Sequence, residues 1–408
     1  MPTATQTARF DSVGCDVRDY PFGPPDRLTL NPAYAQLREL EPLCPVRMPY
    51  GEDALLVTRY ADLRTVRADP RFSRAAKAAH DEPRLVPDKV DGGIMDLDPP
   101  EHTRLRRLVA KAFTVARVER LRPRAVDVAN RLLDGMIAAG PPADLVGAFA
   151  VPLPGTLICE LLGVPYPDQD RFGGWAGAFM STTLLDPAQR AAALGELAGY
   201  IAGLVAARRA EPADDLLGAL VTARDEDDRL SEAELIQLAI TLLAAGYETT
   251  ATEITNFVYV LRTQPEQWEL LRARSDLIST AVEELLRYAP LTAATILSRW
   301  ATEDVPLSGG VVPAGTPVLA SAEAANQDPA VFPDPARLDL ARSPNPHLAF
   351  GHGIHHCLGA SLARMELQVA LAALLDRLPG LTLAVDPDEL VWKTGLVVRG
   401  PVALPVRW

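Results

Sequence analysis

The sequence predicts a mainly α-helical protein with small β-sheets. A helical pattern without proline runs from Ser231 to Pro265, and the segment from Val118 to Ile201 repeats helix after helix with prolines between them. Only brief apolar runs near the two ends of the chain have the length and flanking turn residues of strands. No linker or repeat divides the 408 residues, so we expect a single domain over 1–408.

The composition excludes several functions. Lys and Arg total 40 against 53 Asp and Glu, and the resulting formal charge of −13 argues against nucleic acid as the main partner. The four cysteines show no paired spacing and the first residues lack an apolar leader, which favours a reducing cytoplasm. The apolar run around Leu238 to Tyr247 is too short to span a bilayer. We therefore expect a cytoplasmic monomer without a membrane anchor.

The first hundred residues are predicted to hold two short helices and one hairpin. The helices cover Pro32 to Leu40 and Tyr60 to Ala68, and the hairpin joins Val46 to Met48 with Ala54 to Thr58. The segment Ala75 to Gly93 has no clear period, which is typical of a substrate loop or a disordered stretch.

The middle of the chain is predicted to be helical. Two helices, Arg171 to Met180 and Gln189 to Arg209, precede a capping box at Ser231 and Glu234 that opens a helix of about 50 Å. Polar residues interrupt the apolar centre of that helix at Ala245 to Thr250. Glycine weakens the helix there, and each threonine can bond a carbonyl one turn earlier, so either a functional opening or a self-satisfied threonine fits the pattern.

The last hundred residues are predicted to contain short strands and one long helix. Strands are expected around a turn at Val311 to Thr316 and Val318 to Ala320, and a final hairpin is expected from Leu396 to Val398 and Val402 to Val406. An apolar face at helical spacing begins at Leu358.

Cys357 is the predicted chemical centre of the chain. It lies in the stretch Phe350 to Ala360, where three glycines allow a tight loop, and it directly precedes the helical pattern from Leu358. Free backbone N–H groups and the helix dipole at that position favour the thiolate over the thiol. A thiolate is either a nucleophile or a metal ligand.

Residue patterns alone leave other interpretations of Cys357 open. A zinc site needs about four spaced ligands, and the adjacent His355, His356 and Cys357 cannot all converge on one ion. A Cys/His nucleophile needs an oxyanion hole and an orienting Asn or Asp, which the neighbouring sequence does not offer. A buried, inert cysteine is the remaining alternative.

Written in full, the stretch is Phe-Gly-x-Gly-x-His-x-Cys-x-Gly, and it resembles the signature of the cytochrome P450 superfamily. The resemblance implies the cytochrome P450 fold, a triangular α-rich prism with a minor β region. It also implies haem b as cofactor, with Cys357 as the thiolate ligand of the iron and O2 as co-substrate. Phe350 and Gly359 belong to the cofactor-binding loop in this comparison, and Phe350 is expected to shield the sulfur.

The segment Ala245 to Thr250 is similar to the family's Ala/Gly-Gly-x-Asp/Glu-Thr motif. The resemblance implies that Thr249 takes part in oxygen activation and that Glu248 feeds protons. Ala245 and Gly246 are expected to leave room beside the cofactor. Tyr247, which stands where many bacterial relatives have His, is expected to point away from the iron.

Two further motifs follow the order of the family. His102 and Arg106, four residues apart on one helix face, read alone as a solvated basic face, but the resemblance implies that they hold the haem propionates with Arg299 and His355. Glu284 and Arg287 match Glu-x-x-Arg, a pair that has little meaning alone and that the family buries with a further arginine, here expected to be Arg337. This set is expected to be structural.

The resemblance implies a haem-thiolate monooxygenase that hydroxylates or epoxidises its substrate. Small residues at 293–295 and only 6% aromatic residues favour a roomy apolar cavity, which suits a macrolide or other polyketide of antibiotic biosynthesis. A peptide or terpenoid scaffold, oxidative coupling or cyclisation without oxygen insertion, and a gas-binding haem protein are the alternatives. The residues expected to contact substrate are Met95, Phe179, Met180, Ala293, Ala294, Thr295, Leu396 and Val397.

Electrons must come from outside, because the sequence carries no flavin or iron–sulfur motif. The resemblance implies NADH or NADPH as the source, acting through a ferredoxin reductase and a ferredoxin. A local basic patch of Arg104, Arg107, Lys111 and Arg364 is expected to receive an acidic ferredoxin.

Overall fold

The computed structural model of the chain describes residues 16–89, 92–165, 171–225 and 230–408. The predicted absence of an apolar leader concerns residues that lie largely outside these ranges. The helices are α1 (Ala33–Leu40), α2 (Tyr60–Ala68), α3 (Glu101–Ala110), α4 (Val115–Ala139), α5 (Pro152–Leu162), α6 (Phe172–Met180), α7 (Pro187–Ala210), α8 (Leu216–Asp225), α9 (Glu232–Thr263), α10 (Pro265–Ala273), α11 (Ile278–Tyr288), α12 (Ala322–Ala325) and α13 (Ala360–Arg377).

The strands are short. They are β1 (Arg18–Asp19), β2 (Leu43–Arg47), β3 (Ala54–Val57), β4 (Phe72–Ser73), β5 (Ala143–Asp144), β6 (Arg299–Ala301), β7 (Val305–Leu307), β8 (Gly310–Val312), β9 (Pro317–Ala320), β10 (Thr382–Leu383) and β11 (Pro405–Arg407). This inventory confirms the predicted fold class, mainly α with small sheets.

The chain divides into two compact units. The first consists of Met1–Pro99, Leu286–Leu338 and Pro344–Cys357. The second consists of Pro100–Leu285, Asp339–Ser343 and Leu358–Trp408. The expectation of a single domain over 1–408 stays a prediction.

The first unit is built on a six-stranded sheet in the order β1-β2-β3-β9-β6-β4. The predicted hairpin of β2 and β3 is antiparallel, with Leu43 opposite Val57, whereas β3 and β9 run parallel. Helix α2 covers this sheet, because its apolar positions Leu63 and Val66 are fully buried in one cluster with side chains of β3 and β9. The sheet and α2 together support the loop that carries Cys357.

The second unit is a helical bundle with a small sheet in the order β10-β11-β5. Its central element is α9, a helix of 32 residues that packs against α5, α6, α7 and α13. The predicted capping box opens α9: the Ser231 N–H donates to Glu234 Oε2 at 2.6 Å, and the Glu234 N–H donates to Ser231 Oγ at 3.2 Å. The long helix is therefore fixed at its start by the residues that the sequence indicates.

The predicted C-terminal hairpin exists, but its arms are shifted. The N–H of Val402 donates to Val391 O and that of Lys393 donates to Gly400 O, both at 2.8 Å, so residues 391–393 pair with 400–402. The expectation that Leu396 to Val398 form an arm was wrong, because this segment forms the tip. We refer to residues 391–402 as the C-terminal hairpin.

One described helix, α7, is long and apolar enough to cross a membrane by length and composition alone. Only 17% of its apolar window is buried.

Candidate active site

The loop that carries Cys357 is held by glycine geometry in the first unit. Gly351 and Gly353 have φ of +75° and +74°, a region that favours glycine. A Cβ on Gly353 would lie 2.2 Å from the carbonyl oxygen of Arg67, in the last turn of α2. Within the loop the Cys357 N–H donates to Phe350 O at 2.8 Å. The two glycines thus let the loop fold back on α2 and present the cysteine.

The Cys357 thiol is exposed, unlike Cys44 and Cys159, which are buried. Burial raises the pKa of the Cys159 thiol to about 12, so that side chain stays neutral. The alternative of a buried, inert Cys357 is therefore wrong. Among the described residues, no group of three His, Cys, Asp or Glu side chains is placed to hold a metal ion, so the zinc interpretation finds no support.

Buried positive charge lies in the first unit at Arg299. Its side chain is 6% exposed, and the hydrogen bond from Nη1 to Phe72 O is long, at 3.3 Å. Burial, followed by the charges of Arg67 and Arg74, lowers the pKa of Arg299 to about 10. An anionic group would stabilise this guanidinium.

Asp98 is a carboxylate whose charge acts on Arg299. Burial opposes its ionisation, but hydrogen bonds from the Ser73 hydroxyl and from the N–H groups of Arg74 and Ala75 outweigh it and lower the pKa of Asp98. The charge of His355 lowers that pKa further. His355 is therefore close enough to Asp98 to act on its charge, and its ring N–H is a donor suited to an anion.

The other predicted propionate donors, His102 and Arg106, lie on α3 in the second unit. His102 is 2% exposed and Arg106 is half-buried. A histidine this deeply buried does not belong to a solvated face, so the interpretation of these residues as simple surface charge is wrong for His102.

The centre of α9 shows the predicted irregular bonding. Thr249 Oγ1 donates to Ala245 O at 2.6 Å, one turn back along the helix. Ala245 is exposed, whereas a Cβ on Gly246 would lie 3.1 Å from the Ile158 side chain of α5. A side chain on Gly246 would therefore fit against α5 only if Ile158 moved by a few tenths of an ångström. Tyr247 is buried, and its ring lies against Gly155 of α5, where a Cβ would be 2.7 Å away.

Glu248 has partners that the sequence did not reveal. Lys393 Nζ lies 2.6 Å from Glu248 Oε1 and 3.0 Å from Thr252 Oγ1. Thr252, one turn further along α9, donates to the same carboxylate oxygen at 3.4 Å. The side chains of Glu248 and Lys393 are only 11% and 13% exposed. All of these contacts lie within the second unit.

Four of the predicted substrate residues come together in the second unit. Phe179 and Met180 end α6, while Leu396 and Val397 form the tip of the C-terminal hairpin. The Val397 N–H donates to Met180 O at 2.8 Å, and Leu396 forms a bridge with Ser181. These backbone contacts hold the end of α6 beside the tip of the C-terminal hairpin.

The remaining predicted substrate residues lie in the first unit, and two of them are deep in it. Ala294 is 4% exposed and packs in an apolar cluster with Tyr20 and Leu37, so its side chain serves the core. Thr295 is also buried, and its N–H donates to the Tyr20 hydroxyl at 2.8 Å. Met95 and Ala293 are half-buried.

Arg74, which the sequence did not indicate, organises the segment around Met95. Its Nε donates to Met95 O at 2.9 Å, and its other nitrogens bond Ser298 O and the Asp96 carboxylate. The side chain is 3% exposed. Arg74 therefore ties the loop at Met95 to the segment that leads into Arg299.

Both residues of the Glu-x-x-Arg motif are buried, but the further arginine expected with them, Arg337, is not buried. Glu284 is fully buried and forms an ion pair with Arg342, whose Nε lies 3.0 Å from Oε2. Arg287 is 2% exposed and donates to the carbonyls of Asn326 and Pro335 at 3.0 and 2.9 Å. Arg337 is exposed and accepts a bond from Arg287 through its own carbonyl at 3.4 Å. No nearby sequence signal points to Arg342, 58 residues away.

Haem fits the residues present. An exposed thiol on a glycine-shaped loop can ligate iron, and a buried arginine with two cationic neighbours needs an anion such as a propionate. Two imidazoles and a further arginine stand at the other positions that the motifs imply.

Comparison with known proteins agrees with this chemistry. The Cytochrome P450 family profile matches residues 188–398. Mycinamicin IV hydroxylase/epoxidase of Micromonospora griseorubida is 54% identical over 97% of this chain and 100% of its own length. Nocardicin C N-oxygenase of Nocardia uniformis subsp. tsuyamanensis is 51% identical over 96% of this chain and 99% of its own. The crystal structure of HinD with NMFT and NO superposes with a TM-score of 0.94 at 55% identity, over 97% of this chain and 100% of that one.

An α-rich protein with small sheets and an exposed cysteine on a Phe-Gly-x-Gly loop has the features of a haem-thiolate enzyme. The chain belongs to the cytochrome P450 family. It is a P450 monooxygenase that works with haem, a thiolate ligand and O2.

Proposed function

We propose that this monooxygenase inserts one oxygen atom into a bulky secondary-metabolite scaffold, a macrolide or other polyketide, by hydroxylation or epoxidation in antibiotic biosynthesis. The observation that carries the proposal is the 54% identity, over 97% of the chain, to an enzyme named for the hydroxylation and epoxidation of mycinamicin IV. The neighbouring residues Phe179, Met180, Leu396 and Val397 support it as a proposed substrate wall, because none of these side chains carries a charge.

The residue roles are part of the proposal. Cys357 would hold the haem iron through its thiolate, and Phe350 and Gly359 shape the loop around it. When bound, the haem supplies the activation of O2, and its thiolate ligand favours cleavage of the O–O bond. Arg299, His355, His102 and Arg106 are the residues proposed to neutralise the propionates.

Two residues of α9 handle protons in this scheme. Glu248 is buried on the same turn as Thr249, so its carboxyl group lies beside the threonine and away from bulk water. The Thr249 hydroxyl, which donates to Ala245 O, can accept a hydrogen bond through its oxygen from a neighbouring donor. Glu248 thus acts as general acid and Thr249 as the group that orients the proton.

Electrons are proposed to come from NADH or NADPH through a ferredoxin reductase and an acidic ferredoxin, in the cytoplasm. Two members of the expected basic patch are already paired: Arg104 with Glu234, and Arg364 with Glu283, whose Oε1 lies 2.8 Å from Arg364 Nε. Arg107 and Lys111 are exposed on α3 and the turn that follows it. These two residues supply the positive surface for the ferredoxin.

N-oxygenation is the second candidate reaction, because the nocardicin C N-oxygenase is 51% identical to the chain. Both reactions add one oxygen atom to the substrate, at carbon in one and at nitrogen in the other. They differ from coupling, which removes hydrogen without adding oxygen.

The test is spectral titration of the purified enzyme against a library of macrolides and amine-bearing peptide antibiotics, followed by product mass. We expect macrolides to shift the Soret absorbance of the haem-loaded enzyme and to gain one oxygen atom at carbon, located by fragmentation. A gain of oxygen at nitrogen supports the second candidate, and a loss of two hydrogens without oxygen overturns both. The Cys357→Ala variant must lose the red-shifted Soret absorbance of the reduced, carbon-monoxide-treated protein.

A further inference from the structure

Lys393 forms a buried ion pair that the reaction scheme above does not use. Its ammonium contacts only one oxygen of Glu248, Oε1, at 2.6 Å, and Thr252 donates to the same oxygen at 3.4 Å. Lys393 also lies 3.0 Å from Thr252 Oγ1, so the three groups form a closed cluster. The cluster thus bonds Glu248 through Oε1 and not through Oε2.

The C-terminal hairpin fixes Lys393 against α9. The Lys393 N–H bonds Gly400 O at 2.8 Å, and Asn256 of α9 donates to Arg399 O at 3.0 Å. A Cβ on Gly400 would come within 2.9 Å of the Thr252 methyl group, so the hairpin backbone lies directly on the helix. The ring of Trp392 meets Tyr259 edge-on, with centroids 5.1 Å apart. These contacts therefore hold the Lys393 ammonium in place against α9.

The other end of the hairpin is bonded to the segment between α6 and α7. The Gly395 carbonyl accepts the N–H groups of Thr182, Thr183 and Leu184 at 2.8, 3.1 and 3.1 Å. This segment directly follows Phe179 and Met180. Lys393 thus stands on the element that joins the proposed substrate wall to the acidic residue of α9.

We propose that Lys393 is a positioning residue for proton delivery: it holds Oε1 of Glu248, so that Oε2 carries the proton toward Thr249. In each transfer Oε2 gives up one proton and regains one from water, and Lys393 keeps its own proton throughout. An ion pair of this kind fixes a carboxylate rotamer that would otherwise be free to turn. The inference rests on the proposed role of Glu248.

The test uses the full-length, haem-loaded enzyme and two measurements. The first is the infrared carboxylate band of Glu248 in the resting enzyme, isolated by subtracting the spectrum of Glu248→Gln. The second is NADPH oxidation without substrate, driven by a plant-type ferredoxin and its reductase. The variants are Lys393→Met, which keeps the length of the side chain, Lys393→Arg, which keeps its charge, and the double variant of Lys393→Met with Glu248→Gln. Lys89→Met is the control, since Lys89 Nζ lies 3.9 Å from Asp81 on an exposed side chain.

We expect Lys393→Met to move the carboxylate band and to slow NADPH oxidation by about fivefold, less than the loss of an acid–base group causes. Lys393→Arg restores most of the rate, the double variant is no slower than Glu248→Gln alone, and Lys89→Met behaves as wild type. An unmoved band, or additive slowing in the double variant, overturns the proposal. If Glu248→Gln itself oxidises NADPH at the wild-type rate, the proton role proposed for Glu248 fails as well; slowing in Glu248→Gln but not in Lys393→Met refutes only the role of Lys393.

Discussion

Replacing Gly353 with alanine tests whether the glycine loop presents Cys357 to the haem. Gly353 has φ of +74°, a conformation that costs an L-residue about 1–2 kcal/mol. The new Cβ would also lie 2.2 Å from Arg67 O and 3.0 Å from Ala68 Cα, so backbone must move. Relieving such an overlap typically costs about 1–3 kcal/mol. The two terms together predict a loss of about 2–5 kcal/mol, concentrated in the loop.

The assay for Gly353→Ala has two parts. Haem content per protein and the red-shifted Soret absorbance of the reduced, carbon-monoxide-treated form report on the thiolate bond, and the thermal midpoint reports on the fold. We expect a reduced thiolate fraction and a lower midpoint. The matched control is Gly380→Ala, since no atom lies within 4 Å of a Cβ built on Gly380 and its φ is not positive. A wild-type spectrum and midpoint in Gly353→Ala would refute the reasoning.

Three further predictions concern stability and electron supply. Arg342→Met removes Arg342 from its ion pair with the buried Glu284 carboxylate and should lower the free energy of unfolding by about 3–5 kcal/mol, measured by denaturant titration. The control is Arg274→Met, which should change the free energy of unfolding little because Arg274 pairs with Asp276 on the surface. Burial, opposed by a hydrogen bond from Thr250, raises the pKa of Glu366 well above 4.5, so folding takes up a proton and the stability of the protein falls as pH rises above 4.5. Relative to wild type, Glu366→Gln should therefore gain up to about 1.4 kcal/mol of unfolding free energy per pH unit above pH 4.5. A difference that stays constant across pH contradicts this. Arg107→Glu should slow reduction by ferredoxin at low salt and not at high salt, with Lys89→Glu as control.

Much of the architecture follows from local sequence signals. The capping box at Ser231 and Glu234 starts α9 as predicted, and α2 has the predicted bounds, because both depend on neighbours a few residues apart. The arms of the C-terminal hairpin were misplaced because their pairing depends on contacts with α9, such as the bond from Asn256 to Arg399 O, which apolar alternation does not encode.

The residues of the candidate site were likewise predictable only in part. Motif spacing led to the prediction of Cys357, Glu248 and Thr249 as site residues, because their order and spacing resemble those of one family. Arg342 and Lys393 were missed because each reaches its carboxylate across 58 and 145 residues, and a lone basic residue has no signature in a linear sequence. Ala294 was expected at the substrate because it is small, but the same property suits it to the core, and only packing distinguishes the two.

Arg74 has a consequence for anyone who wishes to redirect the enzyme to new compounds. Arg74 donates a hydrogen bond to the main-chain oxygen of Met95 and not to its thioether. The side chain at position 95 can therefore be randomised while this backbone hydrogen bond is kept. Position 74 cannot be varied in the same way, since the Arg74 guanidinium forms hydrogen bonds with Met95, Asp96 and Ser298. Laboratory evolution should therefore diversify residue 95 and leave arginine at 74.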